Sequence, residues 1–484
     1  MDTLTPVRKL PQLIGAAWSE SHGAYADVEN PATGKVIARI PSATAEEVGQ
    51  AVIAAHQAFL SWREVPVVER ARKLFKFALA LEEHREELAT IVSQENGKTL
   101  PDSRAEVRRG IEMVEFACGM PSLMMGDTLE NIARDIDSST IRQPLGVCVG
   151  IAPFNFPAMV PLWMYPIAIA AGNTFVLKPS QLTPLTAVRI AELWDQCDFP
   201  PGVFNLVHGE KDAVEALIVH KHTRAVSFVG STPVAQRVQS LGVQHRKRVQ
   251  ALGGAKNFLV VMPDGVNDAS VANIMSSAFG GAGERCLAGS VVVAVADAAD
   301  KLIPALRAAC AKLAIGNPLD EATGLGPVIS GAAKSRIEGY IEQGVKSGAT
   351  LIEDGRAAKK PNDGFFLGPT IFDHVDPQAS IAREEIFGPV LAIVRTKTLA
   401  DAITLANASN FGNASSIFTQ SGGAARTFSS QIETGMVGVN IGVAAPMAFF
   451  PFGGIKDSIF GDVRVHGKDG VAFYTQQKVT ITRW

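Results

Sequence analysis

Between Ile151 and Leu177 the chain carries no charged side chain, a run long enough to cross a bilayer and too apolar to lie in water. Any fold must thread this segment through a membrane or bury it. Pro153, Pro157, Pro161 and Pro166 argue against a span, because each removes a backbone N–H and interrupts a helical ladder, and no basic cluster flanks the run to orient it. The expectation is a segment buried beside a cleft in a soluble protein. With 484 residues, 47% hydrophobic and 19% charged, the chain can build such a core and has the length of two or three domains.

From about residue 145 short apolar runs ending in Gly, Pro or Asn alternate with stretches of helical length. Val147–Ala152, Thr174–Leu177, Val203–Val207, Ala225–Val229 and Phe258–Val261 read as strands, with helices such as Leu185–Gln196 and Ala213–Val219 between them. That order is the mark of βαβ units in a doubly wound parallel sheet. A second alternation, from Ala269 through Val291–Val295, Ala299–Leu313, Arg336–Gly348 and Leu391–Val394, implies a second α/β domain. Upstream, Thr44-Ala45-Glu46-Glu47 has the form of a capping box ahead of Val48, Val52, Ala55 and Phe59 at helical spacing. Pro66 opens another helix, with Leu74, Phe77 and Leu81 inward and Glu82–Glu87 as a solvated face. The tail Val471–Trp484 alternates polar and apolar residues with no partner strand close by, which suggests pairing with another subunit's sheet.

Net charge is −3 with both signs mixed, so nothing points to nucleic acid or to a membrane surface, and a small molecule is the expected partner. Cys118, Cys148, Cys197, Cys286 and Cys310 stand far apart, without a CxxC pair or Cys/His clustering. No metal site is expected, and a reduced, cytoplasmic setting fits. Met1–Pro6 lacks the charged start and apolar run of a signal peptide.

Cys286 follows Gly280-Gly281-Ala282-Gly283-Glu284-Arg285. A neighbouring cation and inward-pointing amides of a glycine turn favour a thiolate, the form that attacks carbonyls, although a free cysteine is more often a small core residue. Asn155, in Phe154-Asn155-Phe156-Pro157, is either a turn residue or a neutral donor to an oxyanion. Gly230-Ser231-Thr232-Pro233 follows a strand and opens a helix, as a pyrophosphate site requires, without the three-glycine fingerprint. Lys178-Pro179-Ser180 sets a cation beyond another strand end, for a ribose or phosphate or simply for solvent.

Together these pieces resemble the aldehyde dehydrogenase superfamily, from Asn30-Pro31-Ala32-Thr33-Gly34 to the C-terminus. The match includes Pro153–Pro157, Lys178-Pro179-Ser180, Phe228–Thr232, Leu252-Gly253-Gly254, Gly283–Cys286 and Glu384–Val390, in order. The resemblance implies an α/β fold with a Rossmann-type dinucleotide domain (1–122 and 145–254), a catalytic domain (255–464) and a small β oligomerisation arm (123–144 and 465–484). It makes Cys286 the nucleophile and Asn155 an oxyanion donor. Cofactor contacts fall on Ala152, Phe154, Lys178, Gln181, Leu182, Ser231, Gly253, Glu385 and Phe387, and a homo-oligomer, dimer or tetramer, is expected.

Two departures matter. Hydrolytic members carry Glu before Leu-Gly-Gly to activate water; here the residue is Ala251. A thiol, with a pKa of about 8.5 against about 15.7 for water, can resolve a thioester without that base, so coenzyme A is the natural co-substrate. The alternative is that another carboxylate serves or that hydrolysis is slow. Pro121–Asp127, Gly254-Ala255-Lys256-Asn257 and Ala445–Phe452 resemble the CoA-acylating methylmalonate-semialdehyde dehydrogenase branch, which also lacks this Glu. That likeness assigns the substrate carboxylate to Arg109 and Arg285; the competing reading of Arg109 is an exposed ion pair on a helix. The second departure is Gln181, where NAD-preferring members carry Glu. NAD is the expected cofactor and NADP stays open, because a neutral amide does not repel the extra phosphate. Ala235 also replaces a common Gly.

Overall fold

A computed structural model describes residues 7–484; the leader reading of Met1–Pro6 falls outside them. The uncharged run forms the central βαβ unit of an eight-stranded sheet, Val147–Ile151, helix Met159–Ala170, Thr174–Lys178. The helix persists through two of its prolines, against the sequence expectation. Pro161 lies in the first turn, where N–H groups have no acceptor within the helix. Pro166 is interior and costs about 3 kcal/mol. Burying Leu162, Met164, Ile167 and Ile169 completely outweighs it, at about 1.5–3 kcal/mol each. No helix among the described residues is long and apolar enough to cross a membrane.

The eight strands run Ile459–Phe460, Arg248–Leu252, Thr223–Val229, Val147–Ile151, Thr174–Lys178, Phe204–Leu206, Gln12–Ile14, Ala17–Ser19. The middle five are mutually parallel, and the flanking pairs antiparallel. Arg248–Leu252 escaped the sequence reading because Arg248 and Gln250 break its apolar run; Gln250 is nevertheless buried, bonded to Ser227 at 3.1 Å.

A seven-stranded sheet follows, in the order Thr350–Glu353, Thr370–Asp373, Val390–Thr396, Gly289–Val295, Asn257–Val261, Ala414–Phe418, Met436–Val439, parallel except at Thr350–Glu353. Its Val- and Ile-rich central strands are buried on both faces, as helices on either side require.

The capping box at Thr44 is present, with Glu47 N–H on Thr44 Oγ1 at 3.2 Å and Thr44 N–H on Glu47 Oε2 at 2.7 Å. The charged run Glu82–Glu87 is not one helical face: the helix Val67–Glu83 stops at His84 and another starts at Arg85. The tail forms a strand over Thr475–Arg483. Val471–Tyr474 ends a short helix, and Thr475–Arg483 pairs antiparallel with the chain's own Ile136–Pro144, so its first partner lies in the same chain, far away in sequence.

Candidate active site

Strand order in the first sheet reverses beside Val147–Ile151, and a crevice opens at the carboxyl ends there. Ala152, Lys178, Gln181 and Ser231 line it together. Ser231 is the N-cap of helix Thr232–Gln244, with Pro233 in the first turn and no side-chain bond closing the cap. Its hydroxyl and the unpaired N–H groups of that turn suit an anion. Burial pulls the Lys178 ammonium down to about 8, against the attraction of Glu210 at the same cleft. Leu182 is not part of this lining; it is exposed, its N–H bonded to Ser180 Oγ at 3.2 Å.

The chain passes between the sheets at Gly253-Gly254. A Cβ on Gly253 would meet Asp457 O at 2.8 Å, and one on Gly254 would collide with the Glu385 carboxylate. The glycines therefore admit Glu385, whose Oε1 accepts the Ala255 N–H at 2.9 Å. Burial pushes this carboxyl up to about 7 despite Lys256 and Arg336 nearby. Lys256, 1% exposed, donates to Ile381 O and Glu384 O at 2.8 and 2.7 Å, and burial brings it down to about 7. Phe387 takes a left-handed φ of 51° and meets Phe154 edge-on with ring centroids 5.7 Å apart.

Cys286 leaves a turn in which Gly281, Ala282 and Gly283 all have positive φ, 56°, 53° and 71°. Only Ala282 is strained by this, at about 1–2 kcal/mol; Gly283 is also required because a Cβ would strike Gly388 O. The Cys286 carbonyl accepts Asn257 Nδ2 at 2.9 Å and Asn413 Nδ2 at 2.8 Å. Asn155 is 5% exposed and donates from Nδ2 to Glu284 O at 3.0 Å, which places its amide against the cysteine turn across 129 residues of sequence.

The thiol itself departs from expectation. Burial, with Glu385 adding, pushes Cys286 up to about 11, and its own backbone N–H, Lys98 and Arg285 do not compensate. The cation and glycine turn favour the thiolate, but desolvation is larger. At pH 8 only about one thiol in a thousand is then ionised. Alkylation of the cofactor-free protein by iodoacetamide should therefore keep rising from about pH 7 to about pH 10. Peptide mapping can follow Cys286 selectively, because it is only half-buried whereas the other four cysteines are buried; a plateau below pH 8 would contradict this.

Beside the thiol lies a cavity of about 170 Å³ with Phe156, Trp163 and Phe452 among its walls. Arg109 and Arg285 both reach it. Arg109 lines the cavity and also makes the helix ion pair, with Glu112 at 3.2 Å. Arg285 bonds Ser276 O through Nη2, in space left by Gly280, while its Nε has no acceptor. Trp163 Nε1 and both ring nitrogens of His466, in the same wall, likewise find no partner among the described residues, and burial, helped by Arg109, holds His466 down to about 3. The two guanidinium groups, set among apolar walls, suit a small acid. Ala251 is fully buried in an apolar cluster with Val149, Ile151 and Phe228, so no carboxylate stands at that position. No group of His, Cys, Asp or Glu that could hold a metal occurs among the described residues.

Sequence reasoning missed Lys98, Asp102, Glu106, Asn257, Asn413 and His466. For Asp102, Glu106 and Arg109 a signal existed, three polar residues at i, i+4 and i+7 on one face of the helix Leu100–Cys118.

The model of the aldehyde dehydrogenase family matches residues 18–480. Malonate-semialdehyde dehydrogenase 3 of Geobacillus kaustophilus (strain HTA426) is 52% identical over 483 residues, 99% of this chain and 100% of that one. Among solved structures, methylmalonate-semialdehyde dehydrogenase from Oceanimonas doudoroffii superposes with a TM-score of 0.97 at 45% identity, covering 99% of both chains. A Sinorhizobium meliloti 1021 protein assigned the same activity, complexed with NAD, has a TM-score of 0.97 at 40% identity, again covering 99% of both.

Proposed function

The chain belongs to the aldehyde dehydrogenase family, and from that premise we propose that it oxidises malonate or methylmalonate semialdehyde through a thioester on Cys286. The acyl group then passes to coenzyme A with loss of carbon dioxide, giving acetyl-CoA or propionyl-CoA. The observation that carries this reading is the pair of guanidinium groups, Arg109 and Arg285, in one apolar-walled cavity with Cys286. A planar, permanently charged pair holds a carboxylate and aims the aldehyde at the sulfur.

Ala152, Lys178, Gln181 and Ser231 hold the adenosine and pyrophosphate portion of NAD, and Gly253, Glu385, Phe154 and Phe387 the nicotinamide end. When bound, the cofactor supplies the hydride acceptor. Gln181 leaves NADP usable. Leu182 contributes at most its backbone to this site.

In the reaction the Cys286 thiol loses its proton and adds to the aldehyde carbon, forming the C–S bond and an oxyanion. The Asn155 amide and the Cys286 backbone N–H stabilise that charge. Loss of hydride from the same carbon leaves the thioester. Carbon dioxide departs from the carbon next to the thioester carbonyl, a proton replaces it, and the thiol of coenzyme A displaces Cys286. The five cysteines, unpaired in the fold, support a reduced, cytoplasmic setting. The arm built from Ile136–Pro144 and Thr475–Arg483 is assigned to a homo-oligomer, dimer or tetramer.

One observation favours hydrolysis instead. Glu385 is near enough to raise the Cys286 pKa and is itself held near 7, a range suited to a general base. Substrate class is tested by comparing malonate semialdehyde with propanal. The intact protein should prefer the semialdehyde by roughly a hundredfold or more in kcat/KM, and Arg285→Ala should erase most of that preference. Equal use of both aldehydes, or a preference untouched in Arg285→Ala, overturns it.

A further inference from the structure

We propose that Lys98 and Glu106 are positioning residues that set the Asn155 amide against Cys286, using the helix Leu100–Cys118 as a common mount for both catalytic loops. The proposal rests on the reading of Asn155 as the oxyanion donor.

Lys98 and Glu106 form a buried ion pair, Nζ to Oε2 at 2.5 Å, with side chains 3% and 0% exposed. Such a pair is a poor stabilising device, because desolvating two charges offsets most of their attraction. Its hydrogen bonds all go to one short segment. Lys98 Nζ also donates to the Asn155 carbonyl and lies over the Phe156 ring, 3.7 Å from its centroid. The second oxygen of Glu106 accepts the N–H groups of Ala158 and Met159 at 2.9 and 3.2 Å. The backbone around Asn155 is therefore held on both sides, with Asn96 and Thr183 each fixing the Phe154 carbonyl at 3.0 Å.

One helical turn before Glu106, Asp102 Oδ2 accepts the Gly281 N–H at 3.0 Å, inside the turn that leads to Cys286. Asp102 and Glu106 thus tie one helix face to the nucleophile's turn and to the donor's loop. Any shift of that loop changes the distance over which Asn155 must meet the oxyanion, where an error of 1 Å can cost about a hundredfold in rate.

The test is single-turnover reduction of NAD by semialdehyde in wild type, Lys98→Met, Glu106→Gln, Asn155→Ala and the two double variants carrying Asn155→Ala. Glu106→Gln keeps the side-chain volume and serves if Lys98→Met does not fold. Each single variant should slow the step by roughly a hundredfold, with NAD affinity and the far-ultraviolet dichroism unchanged. On the Asn155→Ala background the further loss should shrink to about twofold or less, since there is no donor left to misplace. Losses that multiply in the double variants, or single variants as fast as wild type, overturn the positioning role. If Asn155→Ala alone is as fast as wild type, the oxyanion assignment fails first, and that outcome is separable from the other two.

Discussion

Cys286→Ala is expected to lower aldehyde-dependent cofactor reduction by about five orders of magnitude or more. Without sulfur no tetrahedral adduct forms, and hydride would have to leave a neutral aldehyde or its hydrate. Neither can be supplied by another cysteine, since the remaining four are buried in the cores. The cleft proposed for adenosine, lined by Lys178, Gln181 and Ser231, does not contain Cys286, so NAD binding should survive. Absorbance at the reduced nicotinamide band measures the first quantity and calorimetric titration with NAD the second. Activity within tenfold of wild type would remove Cys286 from the chemistry.

The second large effect is dependence on coenzyme A. In its absence steady turnover should fall at least about a hundredfold, while one equivalent of reduced cofactor still appears as a burst. The reason is local. Ala251, fully buried among Val149, Ile151 and Phe228, offers no carboxylate to activate water. A thiol needs less help, being about seven pKa units more acidic than water. Glu385, whose Oε1 accepts the Ala255 N–H while Oε2 accepts no hydrogen bond among the described residues, is the carboxylate that would oppose this by activating water. Loss of the burst together with steady turnover, or steady turnover unchanged, would contradict the expectation.

Much of this was legible in the sequence because it is written in local chemistry. The parallel strands announce themselves as Val- and Ile-rich runs ending in turn residues, and the motifs that contain Asn155, Lys178, Ser231, Cys286 and Glu385 are recognisable in order along the chain as those of the family. What stayed hidden depends on distance. Thr475–Arg483 has its partner strand at Ile136–Pro144, a pairing that no periodicity reveals. The Cys286 carbonyl is gripped by Asn257 and Asn413, which are ordinary turn or strand residues until the second sheet aligns them. The thiol's pKa was misjudged because Arg285 is visible in sequence whereas burial is not. Lys98 and Glu106 stand eight residues apart with nothing in the sequence to show that they form an almost wholly enclosed ion pair. His466 gives no sequence signal, because its interest lies in two ring nitrogens that find no partner in the fold.

The central claim is that an acyl thioester forms on Cys286 and waits for a thiol. Its most direct test is the intact mass of the protein after mixing with NAD and malonate semialdehyde without coenzyme A, followed by peptide mapping. An acetyl adduct is expected on the peptide containing Cys286, stable until coenzyme A is added and then released as acetyl-CoA. Unmodified protein, with free acid accumulating through many turnovers, would contradict it.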